Sequence, residues 1–195
     1  MSDRFGYRVH ELGPQVVVNM RGRSWTDADP RCPAPTDLRL LELRHWNFHR
    51  RPTWGELVVA ERVVEDVVAI FQTLFDLGFA IERMQRIDMY NGDDEASMAD
   101  NNSSAFNFRT IAGSDRLSHH ALGVAIDLNP RTNPIFVGAR VQPENGLRER
   151  QPFEPGVILR PGPVVEAFES RGWHWGGEWP DMRDTHHFSA LPREA

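Results

Sequence analysis

The spacing of hydrophobic and polar positions changes several times along the chain and predicts short elements of both kinds. Residues 38–60 predict two strands that form a hairpin through Arg50-Arg51-Pro52. Apolar residues follow helical spacing from near Trp54 to Phe75, and Gly78 stands where a C-terminal helix cap is expected. The same periodicities predict strands at 79–84, 124–128 and 172–179 and a helix at 163–172.

Three segments lack such a period and are rich in turn-forming residues: 1–35, 91–119 and 138–162. The first is expected to be irregular, and a connection as long as the second is typical of a functional loop. Within it, Asp93-Asp94 lacks the spacing of an EF-hand calcium loop. Strands and helices follow one another without a βαβ rhythm, so we predict an α+β fold.

Composition narrows the class of protein. The chain has 195 residues, 40% hydrophobic and 26% charged, which suits one globular domain. Its net charge of −6 provides no basic surface, so we expect no nucleic acid partner. Cys32 is the single cysteine, which excludes an intramolecular disulfide framework and a cysteine-rich zinc site. We expect no membrane span, because no apolar stretch approaches roughly 18–20 residues.

Histidines and acids cluster at two places in the sequence: His119, His120 and Asp127 in the first, Asp184, His186 and His187 in the second. Two imidazoles and one carboxylate that leave a fourth position open form a common catalytic zinc shell. The alternative is that these are surface histidines or hydrogen-bonded core histidines. Composition leaves the two interpretations about even.

Asp127 falls within the predicted strand at 124–128, where a buried charge is costly unless it is paired or bound to a metal. Strand alternation places Gly123 and Ala125 on the same face as this carboxylate. Their small size would leave space for a metal and a ligand, although close backbone packing at Gly123 is the other interpretation. His120 has the wrong parity for that face, so the chain must turn near residues 121–122.

Two gapped motifs carry a resemblance to a known family. S-x-H-x-x-G-x-A-x-D at 118–127 and W-x-W-G-G-x-W-x-x-x-x-D-x-x-H-F at 173–188 resemble the zinc D-Ala-D-Ala peptidases. These include VanY-type carboxypeptidases and L-Ala-D-Glu endopeptidases of phage lysins. DNNSSAFNFR at 100–109 and IDLNPRTNP at 126–134 are similar to members of this group as well. The resemblance extends from about residue 37 to the C-terminus and leaves 1–36 as an N-terminal extension.

The resemblance implies a role for individual residues. His120, Asp127 and His187 would hold Zn²⁺, with water in the fourth position. Asp184 would be the general base that takes a proton from the attacking water and returns it to the leaving amine. Arg109 would stabilise the developing oxyanion, because a guanidinium offers several donors in a fixed fork.

Other residues of the motifs keep two interpretations. Ser118 would either hydrogen-bond the substrate or support its loop, and His119 and His186 would lie behind the ligands or at the surface. At least two of the motif tryptophans, Trp173, Trp175 and Trp179, are expected in the core, and one could line a groove.

The implied fold is the hedgehog/DD-peptidase arrangement, in which a small antiparallel sheet carries the zinc site between flanking helices. The implied function is hydrolysis of peptidoglycan stem peptides by a D-Ala-D-Ala carboxypeptidase, with an L-Ala-D-Glu endopeptidase or a non-catalytic module as alternatives. An HNH-type nuclease is disfavoured by the acidic charge. We expect a monomer with no signal peptide in residues 1–20, made in the cytoplasm and acting on the cell wall after release or export.

Overall fold

The computed structural model describes residues 4–193 and has the mixed α+β content that the sequence predicts. Its helices and strands, in chain order, are β1 Tyr7–Glu11, α1 Pro14–Met20, β2 Leu38–Trp46, β3 Pro52–Ala60, α2 Val64–Asp76, β4 Arg83–Met84, α3 Asp94–Ala99, β5 Asn102–Ser103, β6 Ala125–Asp127, β7 Ile135–Val137, β8 Arg140–Gln142, α4 Pro163–Glu169, β9 His174–Trp175, β10 Arg183–Asp184 and β11 His187–Ser189. Short 3-10 turns connect several of them. Within the described residues, no helix is long and apolar enough to cross a membrane.

The predicted hairpin is confirmed as β2 and β3, which pair antiparallel from Leu38↔Ala60 to Trp46↔Pro52. The helix after it begins at Val64, so the expectation that helical spacing starts near Trp54 was wrong. Residues 52–60 are held as a strand because each of them pairs with β2 along the whole hairpin. Gly78 has a φ of +68° just beyond α2, as expected for a residue that ends a helix.

The N-terminal segment is irregular only in part: the prediction for residues 1–35 was wrong for β1 and α1, whereas 21–34 contains no helix or strand. Strand β1 pairs antiparallel with β2 from Tyr7↔Leu43 to Glu11↔Arg39 and forms a three-stranded sheet with the hairpin. Met20 and Trp25 are buried in a small core with Leu38. Residues 1–3 of the proposed extension, and 194–195 at the other end, lie outside the described residues.

A larger core joins this sheet to the second half of the chain. One face of α2 is buried against β2 and α4 through Val67, Ile70, Phe71 and Leu74. Phe188 of β11 is fully buried there and stacks on Phe168 of α4, with ring centroids 3.8 Å apart. Burying a side chain of this size stabilises a fold by about 1.5–3 kcal/mol, so strand β11 is firmly anchored.

Two small antiparallel sheets follow in the second half, ordered β6-β11-β9 and β10-β7-β8. The strands predicted at 79–84 and 172–179 are present only as the two-residue strands β4 and β9. Ala80 forms only an isolated bridge with Trp46, and a 3-10 turn takes up Gly176–Glu178. The long 91–119 segment contains helix α3 and strand β5 before it becomes irregular.

Candidate metal centre and active site

The pairing of β6 with β11 brings the two sequence clusters together. In this antiparallel pair Asp127 lies directly opposite His187, although 60 residues separate them in sequence. Because side chains alternate along a strand, the flanking residues Ile126 and Phe188 point to the opposite face, and both are buried in the core. The strand period thus separates the polar site from the core.

His120 reaches the site from a 3-10 turn, His119–Leu122, which confirms the predicted turn before β6. Ser118 caps this turn, and its hydroxyl accepts a hydrogen bond from the His120 backbone N–H at 3.2 Å. The Ser118 side chain also lines the pocket described below. Its observed contact is with the turn that carries His120.

Three side chains converge on one point: His120, Asp127 and His187. His120 Nε2 lies 3.1 Å from His187 Nδ1 and 3.2 Å from one carboxylate oxygen of Asp127. The other carboxylate oxygen lies 3.0 Å from His187 Nδ1. Ligand atoms around a tetrahedral zinc ion at ordinary bond lengths are about 3.3 Å apart, so the set has the size and donor types for such an ion.

A backbone contact determines which nitrogen of His120 faces the converging set. Its Nδ1 lies 2.6 Å from the carbonyl oxygen of Ala105, which can only accept, so Nδ1 carries the proton. The lone pair of Nε2 is then directed at Asp127 and His187. In most metal-binding histidines the nitrogen that does not face the metal donates its N–H to a carbonyl or a carboxylate, and this hydrogen bond fixes the ring orientation.

Charges at the centre favour a cation. Burial alone would raise the pKa of Asp127, but the neighbouring His120 and His186 lower it well below its ordinary value. For His120, burial lowers the pKa while the Asp127 carboxylate raises it, and the net direction is upward. The carboxylate therefore attracts either a proton on the imidazole or a metal cation in its place.

Asp184 lies beside the converging set on β10, which pairs with β7 at Asp184↔Ile135. It is buried, and one of its carboxylate oxygens is 3.0 Å from His186 Nε2. The His186 ring is also buried; its Nδ1 donates to the Asn133 carbonyl at 2.7 Å, and its Nε2 is 3.8 Å from Asp127. His186 therefore lies between the two carboxylates, behind the converging set.

The pocket in front of these residues has a volume of about 570 Å³ and is also lined by Arg109 and Trp179. Trp179 packs near His187, with ring centroids 5.4 Å apart. Trp173 is buried in the core and Trp175 packs against the core, whereas Trp179 lines the pocket. The expectation of at least two core tryptophans and one at a groove is therefore confirmed. Arg109 forms an ion pair with Asp94, a residue to which the sequence pattern assigned no role.

Gly123 settles one open alternative. It has a φ of +67°, and a Cβ built on it would lie 2.7 Å from the Ala60 backbone nitrogen. That nitrogen donates a hydrogen bond to the Gly123 carbonyl at 2.8 Å. Close backbone packing against β3, rather than space beside the carboxylate, is therefore what this glycine provides.

A buried His-Asp-His set with a separate carboxylate in the same pocket is the arrangement found in single-metal hydrolases. A family model described as D-alanyl-D-alanine carboxypeptidase matches residues 112–190. This match supports the resemblance to the M15 peptidase family. The matched segment contains His120, Asp127, Asp184 and His187, whereas Arg109 precedes it. No curated protein and no solved structure matches the chain.

Proposed function

We propose that the protein is a zinc-dependent peptidase that hydrolyses peptidoglycan stem peptides as a D-Ala-D-Ala carboxypeptidase. The observation that carries this proposal is the convergence of His120, Asp127 and His187 in a pocket that also holds Asp184. The family match over 112–190 supports peptide hydrolysis as the reaction. Zinc is the metal we assign, because two imidazoles and one carboxylate with an open position suit it.

Each residue of the pocket has a distinct task in this proposal. The zinc ion, when bound, supplies Lewis-acid chemistry by polarising the scissile carbonyl and lowering the pKa of a water ligand. Asp184 takes the proton of the attacking water and returns it to the leaving amine. Arg109 donates hydrogen bonds to the oxyanion as charge develops there. His186 lies directly behind Asp184, with its Nε2 3.0 Å from the carboxylate.

The remaining expectations form part of the same proposal. We assign residues 37–195 to a catalytic domain with the hedgehog/DD-peptidase fold, preceded by the extension at 1–36. The small antiparallel sheet β6-β11-β9, which carries two of the three ligands, supports this assignment. The enzyme would act as a monomer on the cell wall after release or export.

Mass spectrometry of products tests this function. Purified zinc-loaded protein is incubated with a stem pentapeptide and, separately, with intact muropeptides. Loss of one D-Ala from the pentapeptide is the expected result, and a cut between L-Ala and D-Glu would instead indicate the endopeptidase. If neither substrate is cleaved, the proposal of peptidoglycan hydrolysis is wrong.

Two variants show whether cleavage depends on the assigned centre. His120→Ala should lose zinc and turnover together, because it removes one of three ligands. His174→Ala is the matched control, since His174 is an exposed histidine on neighbouring strand β9. It should keep both the zinc and the activity.

A further inference from the structure

Two adjacent acids stand at the start of helix α3 and have different contacts. Asp93 is the N-cap, and its carboxylate accepts a hydrogen bond from the Ala96 N–H at 3.0 Å. Asp94, the first residue of the helix, turns to the active-site pocket instead. Its role is therefore separate from capping of the helix.

The Asp94 carboxylate contacts two residues of the segment that leads into the metal centre. One oxygen pairs with Arg109 Nε, and the other accepts a hydrogen bond from Asn107 Nδ2 at 2.8 Å. The Asn107 backbone N–H donates to the carbonyl of the ligand His120 at 3.2 Å. Asp94 thus connects Arg109 to the turn that carries His120.

The backbone around this pair is tightly supported by the N-terminal segment. Gly92 has a φ of +79°, and a Cβ built on it would lie 2.3 Å from the Arg23 carbonyl oxygen. The Phe108 N–H donates to the Ser24 carbonyl at 2.9 Å. Residues 23–24 therefore pack against the backbone at Gly92 and bond the irregular segment that ends at Arg109.

We infer that Asp94 is a positioning residue that orients the Arg109 guanidinium towards the substrate. An ion pair with the carboxylate restrains the guanidinium at its Nε side, which leaves the terminal amino groups available to the substrate. The Arg109 and Asp94 side chains remain 39% and 28% exposed, and exposed ion pairs contribute little to stability. We therefore expect the ion pair to affect the orientation of Arg109 rather than the stability of the fold. This inference rests on the proposed function only for the catalytic task of Arg109.

The test compares two substitutions that remove the same charge from the same helix end. Asp94→Asn places either an amide nitrogen or an uncharged amide oxygen opposite Arg109 Nε. Asp93→Asn keeps a residue that is favourable at the N-cap and leaves the contact of Arg109 unchanged. Both variants are measured for zinc content, thermal stability, kcat and KM on the stem peptide. The Arg109 Nε–H signal, assigned by its loss in Arg109→Lys, is followed by NMR in each protein.

We expect Asp94→Asn to lower kcat about 10- to 100-fold, as a displacement near 1 Å at a catalytic group does, with KM, zinc and stability retained. The Arg109 Nε–H signal should shift in Asp94→Asn and stay unchanged in Asp93→Asn. In the Arg109→Lys background, Asp94→Asn should cause no further loss, because it acts through Arg109.

Three results would overturn the inference: an unshifted Nε–H signal in Asp94→Asn, equal losses in both Asp variants, or additive losses in the double variant. If the wild-type protein cleaves no stem peptide, the proposed function fails instead. The NMR comparison then still decides whether Asp94 orients Arg109, because it needs no turnover.

Discussion

Asp184 and Asp127 lie in one pocket but are assigned different tasks, and one pair of substitutions separates them. Asp184→Asn keeps the size and hydrogen-bonding shape of the side chain but cannot accept a proton from water. General acid–base catalysis contributes about 100- to 10,000-fold. Peptide cleavage should fall by that factor, which corresponds to about 3–5 kcal/mol of transition-state stabilisation.

The zinc content should be kept in Asp184→Asn and lost in Asp127→Asn. Asp127 contacts both histidines of the converging set, at 3.2 Å from His120 and 3.0 Å from His187, so Asp127→Asn removes the charged member of the set. Asp184 instead contacts His186 at 3.0 Å, which is not a member of the set. We therefore expect Asp184→Asn to keep near one equivalent of zinc and Asp127→Asn to lose most of it.

The assay measures metal by elemental mass spectrometry and turnover of the stem peptide on the same purified samples. Thermal melting verifies that both variants are folded before they are compared. If Asp184→Asn loses zinc while Asp127→Asn retains it, the base and the ligand are exchanged and the assignment is refuted. If Asp184→Asn keeps both zinc and full activity, Asp184 takes no part in the reaction.

Three further predictions concern the oxyanion, the metal-free state and the backbone. Arg109→Lys should lower kcat about 100- to 1,000-fold with zinc retained, because an ammonium cannot replace the planar fork; near wild-type turnover would remove Arg109 from the mechanism. In chelator-treated protein, the raised pKa of His120 gives stability that is fully present below pH 6.5 and is lost as the pH rises through the pKa of the folded state. The lowered pKa of Asp127 gives stability that is present above pH 3.8 and is lost as the pH falls through the pKa of the folded state. The melting temperature of this protein minus that of Asp127→Asn should therefore be largest between pH 3.8 and pH 6.5. A difference that grows above pH 6.5 would contradict the pairing. Gly123→Ala should lower the free energy of unfolding by more than the roughly 1–3 kcal/mol that positive φ alone costs, because its Cβ meets the backbone of β3. Gly172→Ala, at φ +76° in open space, should cost only that backbone strain, and equal urea midpoints for the two variants would refute this.

Part of this structure follows from local sequence pattern. The hairpin β2–β3 and the buried face of α2 were predicted because alternation and helical spacing act over neighbouring residues. The turn before β6 was predicted from the parity of His120 relative to Asp127. The two gapped motifs indicated His120, Asp127 and His187, which the structure brings together, and the family match over 112–190 supports that resemblance.

Long-range pairing escaped the sequence pattern. Strand β1 has five exposed residues and no buried face, so its 7–11 segment carries no strand signal of its own. It forms because the β2 edge offers backbone partners more than 25 residues further along the chain. The same reason explains the error at the start of α2, where pairing with β2 overrides the helical spacing from Trp54 onward.

The chemistry of the site also depends on contacts that no motif records. The sequence names His120 and His187, but the Ala105 carbonyl decides which nitrogen of His120 faces the metal position. The ion pair of Asp94 with Arg109 joins two residues that local spacing does not relate. Periodicity and motifs determine which residues can serve a metal centre, since these are properties of the local chain. Tertiary packing decides their distances and proton positions, because hydrogen bonds and charges act between atoms that only folding brings together.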